Sequence, residues 1–525
     1  MLARAALPAA LALYLGAGLT HLGLPGLQYD EAYDPLVAVE MLTGQSPSCA
    51  MTVTLSGQVL PVMLRDYEGP TSVYTSLAGL SLLGISVEAL RITQLAIGAL
   101  TLVLLWLLAR RWFGDAVAGL ATLLCATAPA FVFWSRSGSH WMLPQLPIAL
   151  GMVLALDRWR RTGGTFALAS AAFLFGFGVT SKILFVWMAA PILLTAAVLA
   201  GRSRLPRVPW AAVAAGLLLG LGPLVVYNLD GMPTLRRIAE NAVTTRLYGH
   251  SNLDVLTNVS VQSRSFAAMI GGSIVPIAAP AGLPVGGPLL AVGLLVPVWV
   301  LVHRRRRVAT EPDLAARLFL VLTVVTVVPI STVSLSHLGA TYLFLIVPFT
   351  WLVVAVALSD ASRFGGGRAP AFAAAALGLA LVAHNVAGSV RIHRFFVATG
   401  GRGFWSDTIV AVAGRLESEN RPVVAMDWGF SRNIAFLTRG RLCPQEFFEY
   451  LPEPSPRLAE TCDTLLQEPA RLYLFHVERH TAFRGVFPVL EWAAARRGLS
   501  LRLFASFPER DGLPNTLVYE AVPGS

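Results

Sequence analysis

Charge is what this chain has least of: Asp, Glu, Lys and Arg make up 13% of its 525 residues, against 55% hydrophobic residues and a mean hydropathy of +0.64. A soluble globule carries about 25% charged residues, so the composition excludes an ordinary soluble domain and points to a membrane protein. Cysteine is scarcer still. Cys49, Cys125, Cys443 and Cys462 form no CxxC and no Cys/His metal spacing. Cys125 falls in an apolar run, whereas the other three fall in segments that the charge pattern of the loops places on the oxidising side, where a Cys443 to Cys462 disulfide stays open. The net charge of +10 comes largely from short basic runs between apolar segments rather than from one soluble face, which argues against nucleic-acid binding.

Apolar runs near the length of a bilayer span fall at roughly 5–24, 88–109, 116–134, 141–157, 165–180, 183–200, 210–228, 286–302, 317–335, 340–358 and 370–388, about eleven spans. The segments 71–84 and 266–285 are apolar but broken by Gly, Pro and Ser, and read as interfacial or re-entrant pieces. Arg110 and Arg111, the 158–161 cluster, Arg202 with Arg204 and Arg207, the 303–307 run, and Arg363 with Arg368 all fall on one side. Basic short loops stay cytoplasmic, which places the first loop (25–87), the 229–285 loop and the C-terminal part outside a bacterial-style inner membrane. The first span, starting after Arg4 with no small-residue cleavage site, reads as an uncleaved anchor. Residues 1–390 thus form a transmembrane unit. Residues 391–525 turn more polar, with short β-branched runs around Val423 and Leu472 between helical patterns, and read as an outer α/β domain.

The first loop opens with QYDEAYDPLVAVEMLTG (28–44), three acids within five residues just after an apolar run. Asp34 followed by Pro35 reads as N-cap and first position of a short helix closed by Gly44. A start at Asp30 would leave Pro35 inside the helix. Either way Asp30 and Glu31 stand at the outer membrane surface, as solvated loop acids or as functional ones.

The run DEAY with its apolar helix, the segments RDYEGPTSVY (65–74) and LGISVEALRI (83–92), the sequence LLARRWFG (107–114) and GVTSK (178–182) together resemble the GT-C glycosyltransferases, in particular the group holding the protein O-mannosyltransferases and the bacterial aminoarabinose transferases. The resemblance covers roughly the first 200 residues. It implies a helical polytopic fold and transfer of a sugar, with inversion, from a polyprenyl-phosphate donor in the membrane to a glycan, lipid or protein acceptor outside. Asp30 would be the base that takes the acceptor proton, since a carboxylate shielded by a membrane has its pKa raised toward a useful value. Glu31 would orient the sugar or acceptor, or support Asp30.

Developing charge on the leaving phosphate calls for fixed cationic donors on the same side. Lys182 matches the lysine that the family carries after a glycine-rich span end, the plain alternative being a snorkelling interfacial lysine. Arg136 and His140 lie in the turn after the third span; there Ser139-His140 stands where relatives carry an acid, which leaves a divalent metal without that ligand and its requirement open. Glu68 stands before Pro70, reaching the same cavity or capping the next helix. His337 occupies a turn where relatives show an arginine, and Arg236, Arg237, Arg246, His250 and Arg264 are rival phosphate donors. Arg91 reads as structural, paired with Glu88 or Asp66, and Asp427 as a strand-end or turn aspartate. A transporter or lipid flippase would instead show internal repeats and charges at mid-span, and a sensor would need a cytoplasmic signalling segment; the charges here cluster on one outer face.

Overall fold

The computed structural model describes residues 2–137, 142–200, 206–243, 253–272, 311–331, 342–363, 368–449, 454–468 and 470–524. The chain is a polytopic helical membrane protein with a C-terminal α/β region. The helices are α1 (Leu2–Leu19), α2 (Tyr29–Leu42), α3 (Thr71–Leu83), α4 (Val87–Phe113), α5 (Asp115–Thr127), α6 (Pro129–Trp134), α7 (Gln145–Thr162), α8 (Thr165–Ser181), α9 (Ala189–Ala200), α10 (Trp210–Asn228), α11 (Pro233–Val243), α12 (Val255–Ile270), α13 (Glu311–Ser331), α14 (Val347–Ser362) and α15 (Arg368–Thr399). Among the described residues five helices are long and apolar enough to cross a membrane by length and composition, and others are shorter apolar pieces. The expected span at 286–302, the basic run 303–307, and Arg202 and Arg204 lie outside the described residues.

The bundle is built around α14, which is buried along most of its length and packs on α5, α13 and α15. Tyr14, Leu95, Phe131, Leu143, Phe344 and Phe349 share one continuous apolar core. Helix α4 sets the scale. Arg91 near its start and Arg110 near its end are separated by about 28 Å at 1.5 Å per residue, the thickness of a bilayer's hydrocarbon core. The two ends of α4 therefore mark two faces, and each carries a distinct polar cluster.

The loop between α1 and α4 holds α2, the hairpin β1 (Met51–Leu55) and β2 (Gln58–Met63), and α3, which at thirteen residues is an apolar helix too short to span. These elements share a small core of Leu27, Val37, Leu64, Val73 and Leu90. Helices α11 and α12 occupy the segment expected to be an outer loop, and α12 enters the stretch read as re-entrant from 266.

Helix α15 runs unbroken through residue 391, and the architecture changes at Gly400. Beyond that glycine the chain forms α16 (Thr408–Glu419), β3 (Val423–Ala425), α17 (Ser431–Leu437), β4 (Gln445–Glu446), α18 (Pro456–Leu465), β5 (Leu472–His476), α19 (Val486–Arg496), β6 (Leu499–Pro508) and β7 (Pro514–Pro523). The sheet order is β4-β3-β5-β7-β6, with β3 parallel to both neighbours and β7 antiparallel to β5 and β6. Side chains alternate across a strand: Val424, Tyr473 and Phe475 meet α18 and α19 on one face, while Val423, Leu472 and Leu474 meet α16 and α17 on the other. All four cysteines are free thiols, so the disulfide left open by the sequence is not formed. Cys462 is buried in the α18 core and Cys443 is exposed.

Candidate active site

The acid-bearing helix starts earlier than the Asp34-Pro35 pair suggests. Gln28 is the N-cap of α2, its side-chain oxygen accepting from the backbone N–H groups of Asp30 (2.7 Å) and Glu31 (3.2 Å), while Glu31 accepts back from the Gln28 N–H at 3.5 Å. This reciprocal capping box satisfies donors that a helix start leaves orphaned. Pro35 consequently sits inside the helix, beyond its first turn. Asp34 is not a cap but a member of the site, one turn from Asp30 on the same helix face.

Glu31 points into the protein. It is fully buried and bound by Arg91 through two parallel contacts, Nε to Oε1 at 2.7 Å and Nη2 to Oε2 at 2.8 Å, and Arg91 Nη1 donates to the carbonyls of Leu22 (2.6 Å) and Pro25 (2.9 Å). Both carboxylate oxygens are thus engaged, which fits the supporting role for Glu31 better than contact with a sugar. The partner of Arg91 is Glu31 rather than Glu88 or Asp66. Arg136, also buried, donates to the carbonyls of Gly18 (3.1 Å), Thr20 (2.7 Å) and Leu24. Two buried arginines therefore tie down the α1–α2 connection and fix the direction in which α2 leaves it.

Asp30 keeps part of its surface accessible, unlike Glu31 and Asp34. Burial of its surroundings pushes its carboxyl up from the ordinary range, while the nearby charges of Arg65 and Lys182 pull it down. Beside it stands a compact cluster. Asp34 accepts from Ser72 Oγ at 2.7 Å and from Arg65 Nη2 at 3.3 Å. Lys182 Nζ donates to Glu68 Oε2 at 2.7 Å and lies 4.7 Å from the Tyr67 ring centre, and Arg65 Nε stands 3.7 Å from the same Glu68 oxygen. The structure thus gathers Asp30, Glu68 and Lys182, three residues singled out in the sequence, and adds Asp34 and Arg65.

Lys182 reaches the cluster because α8 ends at Ser181 and the backbone turns extended before a short 3-10 segment (Ile183–Met188). The loop carrying Glu68 is laced to that turn by Gly69 N–H to Thr180 O at 2.7 Å and Ile183 N–H to Tyr67 O at 3.1 Å. A Cβ on Gly69 would stand 2.6 Å from the Thr180 oxygen, so glycine is required for the approach.

Asp34 and Glu68 are two buried carboxyls in mutual contact, and they titrate apart. Burial, then the charge of Glu68, pushes Asp34 up to about 7. Burial is also the largest influence on Glu68, in the upward direction, but Lys182 and Arg65 together outweigh it and hold Glu68 below the ordinary range. The folded state therefore binds a proton at Asp34 more tightly than the unfolded chain does. Its stabilising contribution is complete below the unfolded value of about 3.9 and is lost as pH rises through the folded one. The expected result is that the thermal midpoint of the unmodified protein, minus that of Asp34→Asn, declines from pH 5 to pH 8; a constant difference across that window contradicts the assignment.

The C-terminal region closes over the same helix. Trp428 packs on Tyr29 with ring centres 5.0 Å apart, Tyr29 OH donates to Glu446 Oε2 at 3.2 Å, and Asn433 Nδ2 donates to Leu27 O at 3.1 Å. Tyr33 lies between two guanidiniums, Arg65 at 3.4 Å and Arg432 at 4.5 Å from its ring centre. Asp427, just past β3, accepts from His476 Nδ1 (3.0 Å) and from the N–H groups of Trp428 and Ala482, and so holds its turn as the sequence suggested. Sequence reasoning missed Asp34 as a site acid, and missed Arg65, Tyr33, Arg432 and Trp428. The spacing of four between Asp30 and Asp34 was the available signal for the first; the contacts from the far end of the chain left none.

His140, His337, Arg246 and His250 lie outside the described residues. Arg237 pairs with Asp66 at 3.5 Å and with Glu240 at 3.3 Å, Arg236 donates to Gly231 O, and Arg264 is exposed on α12. Among the described residues no group of three His, Cys, Asp or Glu side chains stands at metal-binding separation. Asp34 is held by Arg65, and Glu68 by Arg65 and Lys182. Two cavities, of about 650 Å³ and 600 Å³, do not have Asp30 in their walls.

Residues 68–227 match the family model described as dolichyl-phosphate-mannose-protein mannosyltransferase. The matched segment contains Glu68, Arg136 and Lys182 and leaves Asp30 outside it. Comparison with curated protein sequences returns no match. Among solved structures, the fold is similar to that of ArnT from Cupriavidus metallidurans bound to undecaprenyl phosphate, at TM-score 0.57 and 13% identity over 97% of each chain. The apo form of that protein gives TM-score 0.58 and 13% identity over 99% of this chain and 98% of that one. The oligosaccharyltransferase of Archaeoglobus fulgidus, in complex with Zn and sulfate, matches at TM-score 0.56 and 15% identity over 93% of this chain and 70% of its own. The fold is shared with these proteins, in agreement with the helical polytopic fold that the resemblance read from the sequence implies.

Proposed function

We propose that this chain is a glycosyltransferase that takes a sugar from a polyprenyl-phosphate-linked donor and passes it, with inversion, to a glycan, lipid or protein acceptor outside the membrane. The observation that carries the reading is the juxtaposition, at one end of a GT-C bundle, of the partly accessible Asp30 carboxylate with Arg65, Lys182 and Glu68. The name of the matching family and the undecaprenyl phosphate bound to ArnT support a donor of this class.

Asp30 takes the proton of the acceptor hydroxyl as the acceptor oxygen bonds to the anomeric carbon. The bond from that carbon to the phosphate oxygen breaks, and the polyprenyl phosphate leaves with the electron pair. Arg65 and Lys182 supply positive potential where that charge gathers. Because both are already partly neutralised by Asp34 and Glu68, they are held in place before the donor arrives and lose little side-chain freedom on binding. Arg91 and Arg136 act through the backbone they hold, and Glu31 through Arg91.

The test is a transfer assay in membranes supplied with radiolabelled polyprenyl-phosphate sugars of several kinds. Label is expected to move from at least one donor into an extracytoplasmic acceptor. If every donor is left intact while labelled lipid crosses the bilayer in a chain-dependent way, the protein is a flippase and the reading fails.

A further inference from the structure

The polar cluster at the other end of α4 has a different character. There α4, α7 and the start of α8 meet around a cavity of about 600 Å³ whose walls include Leu107, Leu154 and Phe166 and whose rim carries Arg110, Arg111 and Arg158. Phe166 is 84% exposed, a large apolar ring left open beside three guanidiniums. The neighbouring charges do not balance. Asp157 is shared by Arg111 (2.6 Å), Arg161 (3.1 Å) and Arg160 (3.7 Å), and Asp115 pairs with Arg110 at 2.7 Å. Arg158 is exposed and has no ion pair among the described residues. Five arginines thus face two carboxylates.

We propose that this groove is a binding site for an anionic phospholipid of the inner leaflet, with an acyl chain laid along Leu107, Leu154 and Phe166 and the phosphate held by Arg158 and its neighbours. The apolar wall calls for a chain, which a free anion lacks. The surplus of guanidiniums selects a headgroup with net negative charge over a zwitterionic one. Short basic loops mark this face as the inner one, where anionic lipids attract basic side chains. The site stands at the opposite face from Asp30 and does not depend on the proposed transfer reaction.

The full-length protein, purified in neutral detergent and stripped of lipid, should be mixed with phosphatidylglycerol or phosphatidylcholine and the retained lipid counted by native mass spectrometry. Phosphatidylglycerol is expected to be retained preferentially, and Arg158→Gln to weaken that retention about five-fold, the attraction of one basic side chain for an anionic surface. Ser170→Trp, which fills the groove without altering charge, should weaken it as well. Inorganic phosphate at millimolar concentration should not displace the lipid. Equal retention of both lipids, retention unchanged in both variants, or displacement by phosphate alone would each overturn the proposal.

Discussion

Asp30→Asn is expected to lower sugar transfer by about 10²- to 10⁴-fold, the range that a positioned general base contributes. The substitution keeps the shape of the side chain and its backbone bond to the Gln28 cap, so helix α2 should form as before. It removes the capacity to accept a proton while the acceptor oxygen attacks. The loss should therefore fall on kcat, with KM for the donor little changed. A rate within a few-fold of the unmodified protein, at equal folded yield, would remove Asp30 from the role of base. Asp34→Asn makes the useful contrast. Asp34 is buried and bound to Ser72 and Arg65, so its substitution should move the pH profile and the placing of Arg65 more than the chemical step.

The largest effect on stability is expected from Arg91→Leu. Glu31 and Arg91 are both wholly buried, and Arg91 also satisfies two carbonyls of the α1–α2 connection. Removing one partner leaves a carboxylate in a dry site with nothing to balance it, which costs about 3–5 kcal/mol. Replacing both by leucine should recover a good part of that loss, because no charge is then stranded, although the Leu22 and Pro25 carbonyls remain without their donor. Urea titration in mild detergent, followed by Trp fluorescence, would measure the series. If the single and the double variant unfold at the same midpoint, the pair is not the clasp its geometry indicates. Preserved transfer in the surviving folded fraction of either variant would separate this structural role from one in catalysis.

Much of the architecture is legible in the chain because it follows from apolar run length and from alternation. Most of the apolar stretches that lie among the described residues are helical, the runs at Val423 and Leu472 are neighbouring parallel strands, and the break before Lys182 is a true helix end. The start of α2 was harder to read. Its capping box uses Gln28 where Ser or Thr is the common signal, while Asp34-Pro35 offered a familiar N-terminal pattern in the wrong place. The partners of the site were harder still. Glu68 meets Lys182 across 114 positions and Glu31 meets Arg91 across 60, separations at which residue type gives no pairing. Helix α11 was concealed for another reason: its strongly amphipathic pattern over eleven residues falls below the run length by which spans are recognised.

Asn433 binds the carbonyl of Leu27 across 406 positions, and Gly26 fits so closely against Ser406 that a Cβ would overlap that residue's backbone. The support for α2 thus comes from residues made about 400 positions after it. During synthesis the acid-bearing helix must wait, capped by its own Gln28 and clasped by Arg91 but without its roof, until the turn that carries Trp428 and the helix that carries Asn433 have been made. A chain cut between Thr399 and Trp428 would keep the bundle helices and leave α2 without either contact.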